Sequence, residues 1–316
     1  MTAAVLTASA ARDAVRDAAA DGPLDGLLHA HGAGTATETT AVPYPEYDAH
    51  LRSLARRGRP VAEAVAELVA HGARRAADRL RPRYEASGRA DGHVCAAVPD
   101  TLAHDPAAAV AGARALHGAV GRPNLMIRIP ATERGLAAIT ACLSEGIGVH
   151  AVSVVSLERY AGLVDAFLTG LERAAGAGLD PAAVPSAVSL AAAGLDGTAG
   201  LRPGEPGEGA DADGPAGLAA ATVHLACRMH EEIHASQRWR ALARQGARPH
   251  RLLWDVPPGA HGHGDERAWR ILDALPSYGI CYRELTAAAE AADLARSARR
   301  QRRTAHRIGA ALNGCL

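Results

Sequence analysis

The fold is decided by residues 121–160, which read GRPNLMIRIPATERGLAAITACLSEGIGVHAVSVVSLERY. Two short apolar runs in this stretch, Leu125–Pro130 and 149–155, predict β-strands. Residues 133–145 and 157–177 have the Ala, Leu and Arg content and the apolar spacing of amphipathic helices. The stretch therefore predicts a strand–helix–strand–helix unit, which is the repeating element of a parallel sheet.

The same alternation extends over the whole chain. Eight β/α units of this spacing in a chain of 316 residues favour a closed (β/α)₈ TIM barrel over an open doubly wound sheet. No GxGxxG follows the first predicted strand, which counts against a dinucleotide-binding fold. We predict one barrel domain over residues 1–316. The other predicted strands are 4–8, 35–42, 93–98, 187–192, 251–256 and, weakly, 279–282, and the other predicted helices are 61–80, Pro106–Val120 and 218–245.

Two segments depart from this pattern. Residues 196–217 are rich in Gly, Pro and acidic residues and predict a flexible loop insert after the sixth strand. On a barrel this loop lies on the face that carries the active site, so it is either a disordered insert or a lid. Residues 285–316 predict a C-terminal helix with a basic tail, and the neutral net charge favours a solvated face there over a nucleic-acid site.

Composition excludes several classes of protein. The 34 basic and 34 acidic residues cancel, which indicates neither nucleic acid nor a membrane as a partner. Five cysteines without paired spacing, and no apolar run long enough to span a bilayer, predict a soluble cytoplasmic protein with reduced thiols. All the basic residues are arginine. A GC-rich genome that favours Arg codons explains missing surface lysines, but a catalytic lysine has no substitute.

The opening stretch resembles the transaldolase family. Its pattern there is PN-L-M-I-K-[IV]-PAT, a helix, and then EGI-x-VN-x-T-x-[IV]-FSLERY. Weaker matches extend the resemblance over nearly the whole chain: LRPRYEASGRADGHV at 80–94, LAHD at 102–105 and RWRALARQGARPHRLLW at 238–254. The resemblance implies a (β/α)₈ barrel with its chemistry at the strand ends.

Carried over by position, the resemblance implies that most of the family's functional groups are replaced. The family's Schiff-base lysine aligns with Arg128, whose guanidinium stays protonated and is not an amine nucleophile. No other lysine exists in the sequence, while the sixth-strand serine is kept as Ser189. The other changed functional positions are Ala8, Ala97, Val152, Thr39, His150, Ala191, Gly194 and Ala260.

Arg128 and His150 are the candidate catalytic residues. Arg128 is either a fixed cation that polarises a carbonyl, binds a carboxylate or steadies an enolate, or a relic held by internal hydrogen bonds. His150 is either a general acid/base or a histidine satisfied in the core.

Counting every second residue along the predicted strands places several more side chains toward the barrel interior. Cys95 is a nucleophile if His150 lies within reach, and otherwise a small buried hydrophobe. The pair His261 and His263, with Asp255 or Asp265, lacks a full ligand set, so we predict a solvated loop and no metal or other cofactor. The predicted substrate-binding residues are Thr37, Thr39, Cys95, Ser189 and Asp255.

These substitutions predict a wider and less polar cavity. We expect a barrel that is not a functional transaldolase, but one repurposed for lyase, aldol-type, cyclisation or isomerisation chemistry without a Schiff base. Its substrate would be a bulkier, less polar, unphosphorylated small molecule, as in secondary metabolism. The alternative is a pseudoenzyme that binds a ligand or a partner.

Overall fold

The structure is a computed structural model that describes residues 28–31, 37–38, 44–102, 105–200, 217–254 and 264–314. The strands are β1 (Leu28–His31), β2 (Thr37–Glu38), β3 (His93–Ala97), β4 (Leu125–Pro130), β5 (Val149–Val154), β6 (Ser186–Leu190) and β7 (Arg251–Trp254). The helices are α1 (Tyr44–Arg56), α2 (Val61–Ala86), α3 (Pro106–Val120), α4 (Glu133–Ser144), α5 (Leu157–Gly176), α6 (Gly194–Thr198), α7 (Leu218–His234), α8 (Gln237–Arg244), α9 (Asp265–Ala274) and α10 (Tyr282–Gly314).

The described residues form two compact units. The first extends to Ile129 and adds Ile147–Val149 and the residues from Ser297 onward. The second holds Pro130–Gly146 and His150–Arg296. Strands β4 and β5 each contribute residues to both units, so the boundary does not coincide with the ends of secondary-structure elements.

The first unit combines parallel and antiparallel pairing. β1 pairs antiparallel with β2 and with β3, and β3 pairs parallel with β4. Helix α2 packs on β3 through a face of small buried residues that includes Ala73, Ala76 and Ala77. Small side chains let the helix approach the sheet closely. The chain has only one phenylalanine, so it has few large side chains that could fill a wider gap between helix and sheet.

Asn124 explains the PN pair of the quoted stretch. Its side chain is fully buried, and its Nδ2 donates to the carbonyl oxygens of Ala77 and Gly92, each at 2.9 Å. Ala77 belongs to α2, and Gly92 precedes β3. One amide therefore ties the start of β4 to two neighbouring elements.

The PAT turn in the second unit is a geometric requirement. Thr132 Oγ1 accepts a hydrogen bond from the backbone N–H of Gly135 at 3.0 Å and caps the start of α4. A Cβ atom on residue 135 would lie 2.0 Å from the carbonyl oxygen of Pro130. Glycine is therefore required here by close backbone approach.

Helices α4 and α5 of the second unit pack tightly against each other. A Cβ atom at Gly170 of α5 would lie 2.7 Å from the Cβ of Leu143 in α4, so the two backbones touch at this point. The start of α5 is capped by Ser156, whose Oγ accepts from the N–H of Arg159 at 3.0 Å. In the same unit, β6 and β7 pair in parallel.

Most predicted elements within the described residues are confirmed to within a few residues, and three are wrong. Residues 279–282 are not a strand, because Gly279 ends a 3₁₀ turn in the left-handed conformation and α10 begins at Tyr282. The predicted helix 218–245 is two helices, since Ser236 caps a new one through the N–H of Trp239. The sequence also predicts His29 and His31 as structural residues at the end of a first helix, whereas both lie in the strand β1.

The segments that departed from the repeating pattern are also partly described. The predicted loop at 196–217 begins inside α6, and Asp196 Oδ1 accepts from the N–H of Ala219 at 3.2 Å, which links α6 to the first turn of α7. Residues 201–216 and the predicted strand 4–8 lie outside the described residues. The C-terminal helix starts at Tyr282 rather than at 285. Within the described part of the chain, no helix has both the length and the apolar character to cross a membrane.

Candidate active site

Four strands each present one residue that is not buried. In each of β3, β4, β5 and β6, one residue in the carboxyl half of the strand is partly exposed. All the remaining residues of these strands are buried. We call these four positions the exposed row, and two of them belong to each compact unit. These strand positions are Ala97, Arg128, Val152 and Ser189.

Arg128 occupies a defined register on β4. The parallel pairing of β3 with β4 places Arg128 opposite Ala97 and Met126 opposite Cys95. Paired residues of neighbouring strands share a face of the sheet, so the side chains of Ala97 and Arg128 project from the same face. Cys95 is fully buried, which places this predicted binding residue in the core of the first unit rather than on an accessible surface.

His150 and Ser189, predicted separately, are brought together in the second unit. His150 Nε2 lies 2.8 Å from Ser189 Oγ, and which of the two donates depends on the tautomer of the ring. His150 is 1% exposed, whereas Ser189 is partly exposed. A buried imidazole thus contacts a hydroxyl that reaches the accessible surface, an arrangement that can pass a proton between the two.

The other predicted site residues are placed only in part. Thr37 lies in β2, and Thr39 and Asp255 fall outside the described residues. His261 and His263 also fall outside them. Asp265 accepts from His224 Nε2 at 2.7 Å and pairs with Arg228, and the hydrogen bond from His224 lowers the pKa of this carboxyl.

Nothing in the sequence indicates the unusual backbone at Ser153. This residue has φ of 62° at the last position but one of β5, a left-handed conformation that is rare for residues other than glycine. Its side chain is buried, and its Oγ donates to Asp293 Oδ2 of α10 at 2.7 Å. Strained backbone held by a specific partner is typical of functional sites, and Ser153 directly follows Val152 of the exposed row.

A cluster of three histidines in the second unit was also missed. His230 and His234 lie one turn apart on α7, and His250 directly precedes β7. The HxxxH spacing of the first pair was the available signal, because residues four apart share a helix face. Burial, together with the neighbouring His234, lowers the pKa of His230 to about 4, and burial also lowers the pKa values of His234 and His250.

A cavity of about 750 Å³ lies within the first unit. Its walls come mainly from α1, α2, α3 and the last turns of α10, and they include Ala97 and Val98 at the end of β3. The rings of His50 and His71, both in its lining, are stacked with centroids 4.6 Å apart. Arg128 is not among the lining residues, so this cavity is not the one expected around that guanidinium.

Helices that alternate with parallel strands define the class of α/β proteins. A family model described as Transaldolase/Fructose-6-phosphate aldolase matches residues 36–192, about half of the chain. The chain belongs to the transaldolase/fructose-6-phosphate aldolase family. The predicted family and its (β/α)₈ barrel fold class are thereby confirmed.

Curated relatives extend the similarity beyond that match. A transaldolase of Thermobifida fusca is 47% identical over 208 residues, which are 66% of this chain and 56% of the relative. Transaldolase 1 of Streptomyces avermitilis is 42% identical over 234 residues, or 72% of this chain and 62% of the relative. A transaldolase of Acidothermus cellulolyticus is 43% identical over 221 residues. The chain therefore aligns with less than two thirds of the length of each of these three relatives.

The predicted departure from transaldolase function is wrong. Relatives that share 42–47% of the aligned residues are named transaldolases, and they point to that function rather than to a repurposed barrel or a pseudoenzyme. The prediction treated each changed position as a lost function and then inferred an unphosphorylated, apolar substrate from removed volume. Volume removed at single positions does not define a substrate when the surrounding scaffold matches so closely.

Proposed function

We propose that this chain acts in aldol-type chemistry of the transaldolase class on a small phosphorylated ketose. The observation that carries the proposal is the 42–47% identity to curated transaldolases over more than 200 residues. The partly exposed row on β3 to β6 supports it, because Arg128 of that row stands where the family resemblance puts the reacting lysine.

The sequence places one limit on how this chemistry can run. No side chain of the chain carries a primary amine, so no imine forms on a side chain. The role proposed for Arg128 is that of a fixed cation that polarises the ketose carbonyl and stabilises the enolate left when the carbon–carbon bond breaks. The role proposed for His150, with Ser189, is to take the hydroxyl proton that is lost in that cleavage.

The direct test is turnover of fructose 6-phosphate, with and without an aldose phosphate as acceptor. We expect cleavage or transfer by the unmodified chain, and a loss of at least about 100-fold in kcat/KM in His150→Gln. Ser189→Ala serves as a second variant, since its side chain is partly exposed and less important for folding. Absence of both cleavage and transfer in the unmodified chain would overturn the proposal.

Borohydride trapping tests where the ketose binds. We expect Arg128→Lys to form a reducible adduct with fructose 6-phosphate at residue 128, located by peptide mass spectrometry. Arg122→Lys is the matched control, because Arg122 pairs with Asp78 on the surface just before the same strand. Equal adducts at both positions, or none at 128, would contradict a ketose site on β4.

A further inference from the structure

We propose that His230, His234 and His250 form a binding site for a divalent transition-metal ion of the Zn²⁺ type, with the Tyr160 hydroxyl in the fourth position. The inference is independent of the proposed function. Each histidine offers one ring nitrogen, and these three atoms all lie within 4.8 Å of one another. Three imidazoles from two separate parts of the chain converge on one point.

The distances fit small-ion coordination. Zn–N bonds of about 2.0–2.1 Å in a tetrahedral site place ligand nitrogens about 3.3 Å apart. His230 Nδ1 and His250 Nε2 are 3.1 Å apart. Bringing the third nitrogen from at most 4.8 Å to that spacing requires a ring movement of roughly 1–2 Å.

His234 is already oriented as a metal ligand. Its Nδ1 lies 2.7 Å from the carbonyl oxygen of His230, and because a carbonyl only accepts, Nδ1 carries the proton. The neutral ring therefore leaves Nε2 with a free lone pair. A backbone carbonyl that fixes the tautomer in this way is the usual outer partner of a metal-binding histidine.

Tyr160 completes the arrangement from α5. Its hydroxyl lies 2.9 Å from His250 Nε2 and 3.1 Å from His230 Nδ1, so it contacts the same two nitrogens that the ion would bind. Aromatic rings enclose the cluster: Trp239 packs edge-on against His234, and Phe167 packs against His250. This apolar shell strengthens binding, because it limits competition from water.

The chemistry of the donor set selects the ion. Neutral imidazole suits Zn²⁺, Co²⁺, Ni²⁺ and Cu²⁺ rather than Mg²⁺ or Ca²⁺, which prefer oxygen ligands. Burial keeps the three rings uncharged near neutral pH, which is the state that binds metal. An ion here would connect α5, α7 and the segment that enters β7. His250 lies at the amino end of its strand, whereas barrel chemistry occurs at the carboxyl ends, so the proposed role is structural.

The test is metal binding by the chelator-treated full chain. We expect one Co²⁺ per chain with the visible absorption bands of tetrahedral coordination, displaced by one Zn²⁺ in competition with a chromophoric chelator. His234→Ala should weaken Zn²⁺ binding by roughly 100-fold or more, which exceeds the usual effect of losing an outer partner. Tyr160→Phe should weaken it by roughly 10-fold and change the Co²⁺ spectrum.

His224→Ala is the matched control, since His224 lies on the same helix but pairs with Asp265. It should bind Zn²⁺ as tightly as the unmodified chain. His234 is only partly buried, and circular dichroism will verify that its variant folds. The proposal is overturned by absence of saturable binding to the unmodified chain in the micromolar range, or by equal affinities of His234→Ala and His224→Ala.

Discussion

The exposed row on the strands and the turns that flank β4 differ in what determines each residue. In the turns, Gly135 is required by a carbonyl oxygen and Asn124 by two carbonyl oxygens, and both constraints come from the chain's own backbone. In the row, Ala97, Val152 and Ser189 each have one accessible side, where a ligand rather than the protein would be the neighbour. Replacing a turn residue therefore tests folding, whereas replacing a row residue tests function.

The largest loss of folding stability is expected from a substitution at the PAT turn. Gly135→Ala should destabilise the protein by about 3 kcal/mol, because its methyl group would overlap the Pro130 carbonyl and the backbone would have to move. Urea denaturation measures the change. Gly176→Ala is the control at the end of α5, where an added methyl group meets no atom within 4 Å, and it should be neutral or slightly stabilising. Equal effects of the two substitutions would show that the close backbone approach at residue 135 does not constrain folding.

A smaller loss of folding stability is expected when the pH falls and the histidine cluster takes up protons. The folded chain lowers the pKa of His230 from its usual 6.5 to about 4, so below pH 6.5 the unfolded chain binds more protons. Stability should therefore be full above pH 6.5 and fall by about 2 kcal/mol as the pH approaches 4, after allowance for the partial exposure of the ring.

Thermal melts in the presence of a chelator, at pH values from 7.5 to about 5, measure this dependence before most carboxylates titrate. His230→Gln should show a shallower slope than the unmodified chain. Stability that rises on acidification over this range would mean that the cluster gains protons on folding, contrary to its burial.

The smallest stability effect is expected in the row. Ser189→Ala should change the free energy of unfolding by about 1 kcal/mol or less, because Ser189 is partly exposed and water can replace its contact with His150. The same urea denaturation experiment measures it. A loss as large as that of Gly135→Ala would show that Ser189 belongs to the scaffold and would weaken its proposed role in proton transfer.

The sequence predicted the elements whose causes are local. Leu125–Pro130 and Pro106–Val120 have the predicted bounds, because apolar patterning and a terminal proline are readable in one dimension. The break at Ser236 was missed although the serine cap is itself a sequence signal. The contact of His150 with Ser189 depends on residues 39 positions apart, and the histidine cluster joins one helix, α7, to His250 just before β7, so neither could be derived from spacing alone.

The error about function had a different cause. A guanidinium at residue 128 bears on one step of a reaction, and the prediction extended it to the identity of the whole protein. Similarity over 208 residues to a named transaldolase carries more information about class than any one strand position.

The left-handed residue in β5 has a consequence for how distant parts of the second unit influence each other. The left-handed conformation of Ser153 is held by its hydrogen bond to Asp293. The free energy of this hydrogen bond therefore stabilises both the backbone conformation of β5 and the position of α10. Such coupling is reciprocal: whatever stabilises the strand in this shape also holds the helix, by the same amount. A change that stabilises or destabilises the strand that carries His150 and Val152 should therefore change the stability of the long C-terminal helix as well.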